Sequence, residues 1–139
     1  MDQILAKNIE ELIKLFYGNL NHDTALTWFN DYFNLIGFNV KEEKFNKEIG
    51  FDLYSLDNND LLLFRLDSLN SMIKNNSHLF GVINNKNIGN NKWYKDKYLD
   101  FKNEIKFSEE YCEKQLNNDI MNFFYTVEEI NNFKLKYMS

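Results

Sequence analysis

Proline is absent from this chain, and cysteine, arginine, alanine and histidine are nearly so. There is one Cys, one Arg, two Ala and two His in 139 residues. The lone Cys112 excludes an internal disulfide and points to a reducing compartment, so a cytoplasmic location is expected. It stands in "EEYCEKQL" among acids, which raise a thiol pKa, so an inert buried thiol is expected there rather than a nucleophile. The two imidazoles leave little for acid–base or metal chemistry. His22, in "NLNHDTAL", is next to Asp23 and makes the only adjacent His–Asp pair; it reads first as part of a helix-cap region. His78, in "NNSHLFGV", leads into an apolar run, where its neighbour Ser77 would point to the opposite face.

Motifs are equally sparse. No CxxC, HExxH, Walker A or GxGxxG pattern occurs. The oxygen-rich "DNND", Asp57 to Asp60, lacks the twelve-residue spread, central Gly and closing Glu of a calcium loop, and reads as a turn. No metal and no cofactor are expected, and no enzymatic activity. The longest purely apolar run is Leu61 to Phe64, against the roughly 18 residues a membrane span needs. The opening "MDQILAKNIEEL" lacks the charged-then-apolar build of a signal peptide. No membrane association is expected.

Large apolar side chains are what the chain has in quantity. Hydrophobic residues make up 44 % and aromatics 17 %, with 13 Phe and 8 Tyr, which a disordered chain would lack. The length suits one domain with its own core, spanning residues 1–139. Asn, Lys, Ile, Phe and Tyr share AT-rich codons, and that bias removes weight from any argument based on the abundance of Asn or Lys.

The apolar spacing predicts a helix from Asp2 to Tyr17, through Leu5, Ile9, Leu12 and Phe16. It predicts a second from Asp23 to Ile36, ended by Gly37 and pairing with the first as a helical hairpin. The period then changes. Phe38 and Val40 alternate with polar residues, as do Ile49, Phe51 and Leu53. "DNND" separates two strand-like runs, which predicts a β-hairpin with a four-residue loop. Pairing Leu56 with Leu61 places Leu53 opposite Phe64, Phe51 opposite Leu66 and Asp52 opposite Arg65. A short helix is expected over Ser68 to Asn75, and a strand over Leu79 to Ile83. Residues from Leu99 to Phe107 fit either period and are read as a strand. A C-terminal helix follows, capped by Ser108 and carrying Cys112, Leu116, Ile120 and Phe123. "TVEE", Thr126 to Glu129, has the form of a capping box that starts a last helix. The expected architecture is α+β: an N-terminal helical hairpin, an antiparallel sheet of about four to five strands, and C-terminal helices.

Charge suggests function. The net charge is −5, yet residues 81–107 carry six Lys against three acids. This basic island contains "GVINNKNIGNNKWYKDKY". Lys86, Lys92, Trp93, Tyr94 and Lys95 are its candidates for phosphate or nucleic-acid contact, since single-strand binders combine Lys with stacking rings. The acidity of the whole chain argues against nucleic acid as the main partner. The leading expectation is a small acidic protein that neutralises a basic partner protein, a toxin or a nuclease, in the manner of an immunity protein or a phage anti-defence inhibitor. Its expected contacts are Asp52, Tyr54, Asp57, Asp60 and Asp67. A small nucleotide-binding protein or enzyme, using the 81–98 segment or His22 with Asp23, is one alternative. A homo-oligomeric structural or adaptor subunit, such as a homodimer, is the other.

Overall fold

The computed structural model describes residues 8–19, 21–79 and 93–138. Helix α1 spans Ile9–Asn19 and α2 spans Thr24–Ile36. Asn8 starts α1: its side-chain oxygen accepts the Glu11 amide at 2.9 Å and its carbonyl accepts the Leu12 amide at 3.1 Å. The expected start at Asp2 lies outside the described residues. Gly37 ends α2 as predicted, at φ 72°, with its own N–H and that of Phe38 returning to the carbonyls of Asn34 and Phe33. That is a Schellman stop, open chiefly to glycine because of the positive φ. The main packing partner of α1 is the later helix over Lys95–Glu104, so the expected hairpin is not the contact that places it.

Residues 38–50 are turns and irregular chain, so the alternation of Phe38 and Val40 does not mark a strand, and the alternation from Ile49 becomes strand only at Phe51. Asparagine side chains explain the difference. Asn39 accepts the Lys41 amide and Asn46 accepts the Ile49 amide, each at 3.1 Å. Such local bonds offer the backbone an alternative to a ladder.

Strands β1 (Phe51–Ser55) and β2 (Asp60–Phe64) pair antiparallel as the only sheet among the described residues, against the expected four to five strands. The register is also two residues tighter than predicted. Phe51 faces Phe64, Leu53 faces Leu62, and Tyr54 faces Leu61. Leu56 and Asn59 exchange backbone bonds of 2.8 and 3.3 Å, so only Asp57 and Asn58 form the turn. A shift of two residues keeps every side chain on its face, and it is the face of Leu61 and Leu63 that packs on the core. In the observed register Asp52 does not meet Arg65.

A 3-10 turn over Leu66–Ser68 leads into α3, Leu69–Asn75. Leu79 sits in a turn, and the rest of the strand expected to Ile83 lies outside the described residues. Helix α4, Lys95–Glu104, overturns the strand expected from Leu99 to Phe107. The helical series wins because it packs. Phe101 meets Phe16 of α1 at 5.7 Å, and Ile105, just beyond the helix, is buried. The expected single C-terminal helix is two: α5, Glu109–Leu116, capped by Ser108, and α6, Asp119–Phe124, capped by Asn118. Helix α7, Val127–Tyr137, begins at the predicted Thr126–Glu129 capping box.

Phenylalanines make the core. Phe33, Phe38, Phe45, Phe123 and Phe124 cluster with Leu61, Leu63 and Ile120. Phe38 and Phe123 meet edge to face at 5.8 Å, and Phe45 and Phe124 at 4.9 Å, geometries that aromatic quadrupoles favour.

The only arginine ties the hairpin to the C-terminal helix. Arg65, just after β2, has a side chain only 9 % exposed. Its Nη1 donates to Glu129 Oε1 at 2.7 Å, and its guanidinium lies 5.2 Å from the centre of the Tyr125 ring. Its Nε is 3.2 Å from Asp67 Oδ1, but off the line of a hydrogen bond, so that contact is electrostatic. Glu129 meanwhile accepts the Thr126 amide at 2.8 Å. Gly50 makes the space: a Cβ there would fall 1.9 Å from Ser68 Oγ and 3.2 Å from Arg65 Nε.

Arg65 is withdrawn from water while Glu129 is partly exposed and keeps its Thr126 bonds, so Arg65→Met should cost about 1.5 kcal/mol in denaturant unfolding, the size of one charge-assisted hydrogen bond. The Thr126 amide, opposed by desolvation and aided by Arg65, holds the Glu129 carboxyl below its ordinary value. The fold therefore favours the charged form. This contribution is complete above the ordinary carboxylate range and is lost as the pH falls through the lowered value. The stability gap between the wild type and Glu129→Gln should be widest at neutral pH and shrink in acid; a gap that ignores pH contradicts this account.

Candidate functional site

The C-terminal end of α2 and the tip of the hairpin enclose an open groove of about 740 Å³. Tyr32, Leu35, Ile36 and Gly37 form one wall, and residues 55–61 form the other. Two of the lining residues are acids, Asp57 and Asp60, and none is basic. The last turn of α2 has no basic residue either, so the negative end of its dipole adds to the same field. Asp60 is held in place by the Ser55 hydroxyl, which donates to it at 3.0 Å.

An aromatic stripe leads to this groove along α2. Trp28, Tyr32 and Leu35 follow at spacings of four and three, on one helical face. Trp28 is 57 % exposed and Leu35 83 %, and the rings of Trp28 and Tyr32 stack at 5.3 Å with an interplanar angle of 2°. The apolar spacing that predicts this helix does not by itself separate its two faces. The signal was available: a helix apolar on both sides is built to be covered on both. Here the inner side, Phe29, Phe33 and Ile36, packs on the core.

The expected partner contacts divide. Asp57 and Asp60 both line the groove. Asp52 sits on the inner side of the hairpin and accepts the Asn46 amide at 3.0 Å. Tyr54 faces inward too. Its ring meets Phe38 at 4.8 Å, its hydroxyl donates to the Lys44 carbonyl at 2.8 Å, and burial, then Asp52 and Glu43, push its pKa up. Asp67 is exposed beside Arg65, outside the groove lining.

The segment proposed for phosphate contact is only partly described: Lys86 and Lys92 lie outside the described residues. Trp93 and Tyr94 are exposed just before α4, and Lys95 is half-buried. Helix α4 itself carries three Lys and three acids, so it has no net charge to attract phosphate.

His22 is held for structure. Its Nε2 lies 2.9 Å from the Phe16 carbonyl, which can only accept, so this nitrogen carries the hydrogen. The Tyr111 hydroxyl then donates to Nδ1 at 3.0 Å. Asp23 does not complete a catalytic pair. Its carboxylate accepts from Lys114 at 2.7 Å and Gln115 at 3.2 Å, and the Lys114 hydrogen bond is the main reason its pKa is low. Two smaller grooves lie along residues 39–47, but Lys41 pairs with Asp119 at 3.1 Å and Lys47 donates to the Asn122 carbonyl at 2.6 Å, so these lysines pin the loop to α6.

Among the described residues no three His, Cys, Asp or Glu side chains are grouped to hold a metal, and no helix is long and apolar enough to cross a membrane. The chain is an α+β protein whose most distinctive surface is an acidic groove at the end of an aromatic stripe. Comparison with protein-family models, with curated proteins and with solved structures finds no match.

Cys112 is 2 % exposed, and its thiol pKa is raised by burial, against a smaller lowering by Lys134. The native protein should therefore fail to react with an aromatic disulfide reagent at neutral pH and react once denatured. Rapid reaction in the native state would reopen a role for Cys112 as a nucleophile.

Proposed function

We propose that this chain binds and neutralises a basic partner protein, of the toxin-immunity or phage anti-defence inhibitor kind, through the groove between α2 and the hairpin tip. The observation that carries this reading is the lining of that groove. It combines Asp57, Asp60 and the end of α2 with exposed Tyr32 and Leu35, and contains no basic residue.

Each part has a role in such a contact. Flat apolar side chains displace water and anchor a partner, and aromatic residues are enriched among anchors because they bury much area for little lost freedom. The carboxylates steer a cationic partner into register and speed its approach. The net charge of −5 acts in the same direction at longer range. Neutralisation then requires only that the bound chain cover the partner's working surface. No chemistry by this protein is needed.

The test uses tagged protein with a basic partner that it captures stoichiometrically, and compares affinity at low and high salt. Reversing both acids, Asp57→Lys with Asp60→Lys, should weaken binding at least about tenfold at low salt and flatten its salt dependence. Replacing Trp28 and Leu35 with Ala should weaken binding by a similar factor while leaving the salt dependence intact. If both pairs of changes leave the affinity unaltered, the groove is not the contact and the reading fails.

A further inference from the structure

We propose that the groove between α2 and the hairpin tip takes one arginine side chain of the basic partner as its anchor. The inference deepens the reading of that groove as the contact, and rests on it. The chain holds a guanidinium site of its own for comparison. Arg65 meets the carboxylates of Glu129 and Asp67, and its guanidinium carbon lies 5.2 Å from the centre of the Tyr125 ring. The groove repeats those ingredients without the arginine. Its charged lining is Asp57 and Asp60 alone, and Tyr32 stands in its wall. Neither acid takes part in an ion pair among the described residues, whereas Asp23, Asp67, Asp119 and Glu129 all do.

Three features of the groove favour a planar cation. The first is a ring face. Trp28 stacks on one side of Tyr32 at 5.3 Å and 2°. Helical side chains lean toward the N-terminus, so the other side of the Tyr32 ring is turned toward the end of α2, where the groove lies. The second is a fixed carboxylate. The Ser55 hydroxyl donates to Asp60 Oδ1 at 3.0 Å and leaves Oδ2 without a partner among the described residues. The third is backbone. The amides of Gly37 and Phe38 satisfy Asn34 and Phe33, and no bond from the described residues reaches the carbonyls of Leu35 and Ile36. These acceptors stand at the negative end of the α2 dipole. A guanidinium has five N–H donors in one plane and no acceptor, so it can lie on a ring and bond carboxylate and carbonyl from its edges. A lysine ammonium is a point charge and must give up part of this. A divalent metal ion would find only two carboxylates here, and no three acids are grouped among the described residues.

The experiment is an amide-shift titration of the labelled full chain with N-acetyl-arginine amide, N-acetyl-lysine amide and the uncharged citrulline analogue. The arginine probe should bind saturably in about the millimolar range, as suits one side chain, with shifts at residues 32–37 and 55–61. The lysine probe should bind there at least about fivefold more weakly, and the citrulline probe should not bind. Asp57→Asn with Asp60→Asn should abolish the shifts. Tyr32→Leu, at a partly exposed position, should bring the arginine probe level with the lysine probe while keeping the wild-type circular dichroism. Equal binding of the two charged probes by the wild type overturns the inference. So do arginine shifts that gather elsewhere or never saturate, even where reversal of Asp57 and Asp60 weakens a basic partner and the groove remains the contact. Failure of the groove as the contact shows elsewhere, in a basic partner whose affinity ignores that reversal.

Discussion

A guanidinium withdrawn from water must be matched where it lies, and in this chain that requirement organises the middle of the molecule. Arg65 follows directly on β2, so its position fixes where the hairpin ends. Its partner Glu129 does two jobs, accepting from Arg65 and closing the capping box that starts α7. The Tyr125 ring covers the guanidinium from the turn between α6 and α7. One residue thereby links the hairpin, the 3-10 turn and the C-terminal helices. Gly50 is the other half of the same constraint. Its carbonyl accepts the Arg65 amide at 2.8 Å, its φ of 79° favours glycine, and any side chain would strike Ser68. Lysine would not serve, because a point charge cannot bond Glu129 and lie flat over Tyr125 together. A genome that writes almost every basic residue as Lys still writes Arg here.

The aromatic core is the complement of that polar link. Phe38, Phe45, Phe123 and Phe124 approach from a loop and from α6, so side chains far apart in sequence fix an irregular backbone. Residues 38–50 hold their shape without a ladder because Asn39 and Asn46 satisfy amides locally and Lys47 bonds across to Asn122. Asparagine, which composition alone marks as coding bias, is structural at these positions.

Local chemistry was legible wherever one residue decides the outcome. Gly37, Ser108 and the Thr126–Glu129 box stop or start helices where predicted, since their conformational and hydrogen-bonding preferences need no tertiary help. What depended on a partner element was not legible. Residues 99–104 satisfy both periods, and only Phe16 on α1 decides for a helix. The hairpin register turned on whether Leu56 pairs with Asn59 or Leu61; both place Leu61 and Leu63 on the same face, so the apolar pattern could not decide, and the two-residue turn over Asp57 and Asn58 does. The same limit shaped the candidate site. Asp57 and Asp60 are exposed, as acids at a turn ordinarily are, whereas Tyr54 turns inward because the hairpin packs its Tyr54, Leu61 and Leu63 face on the core. Trp28, Tyr32 and Leu35 were passed over because an apolar stripe on a helix is first read as core.

The account rests on Asp57, Asp60, Tyr32 and Leu35 acting as one contact surface. The most direct measurement is an NMR map of backbone amide shifts as a captured basic partner is added to the labelled chain. The account predicts that changes gather on the outer face of α2 from Trp28 to Gly37 and on the hairpin tip from Ser55 to Leu61. Changes gathered instead around Trp93, Tyr94 and α4, with the groove untouched, would contradict it.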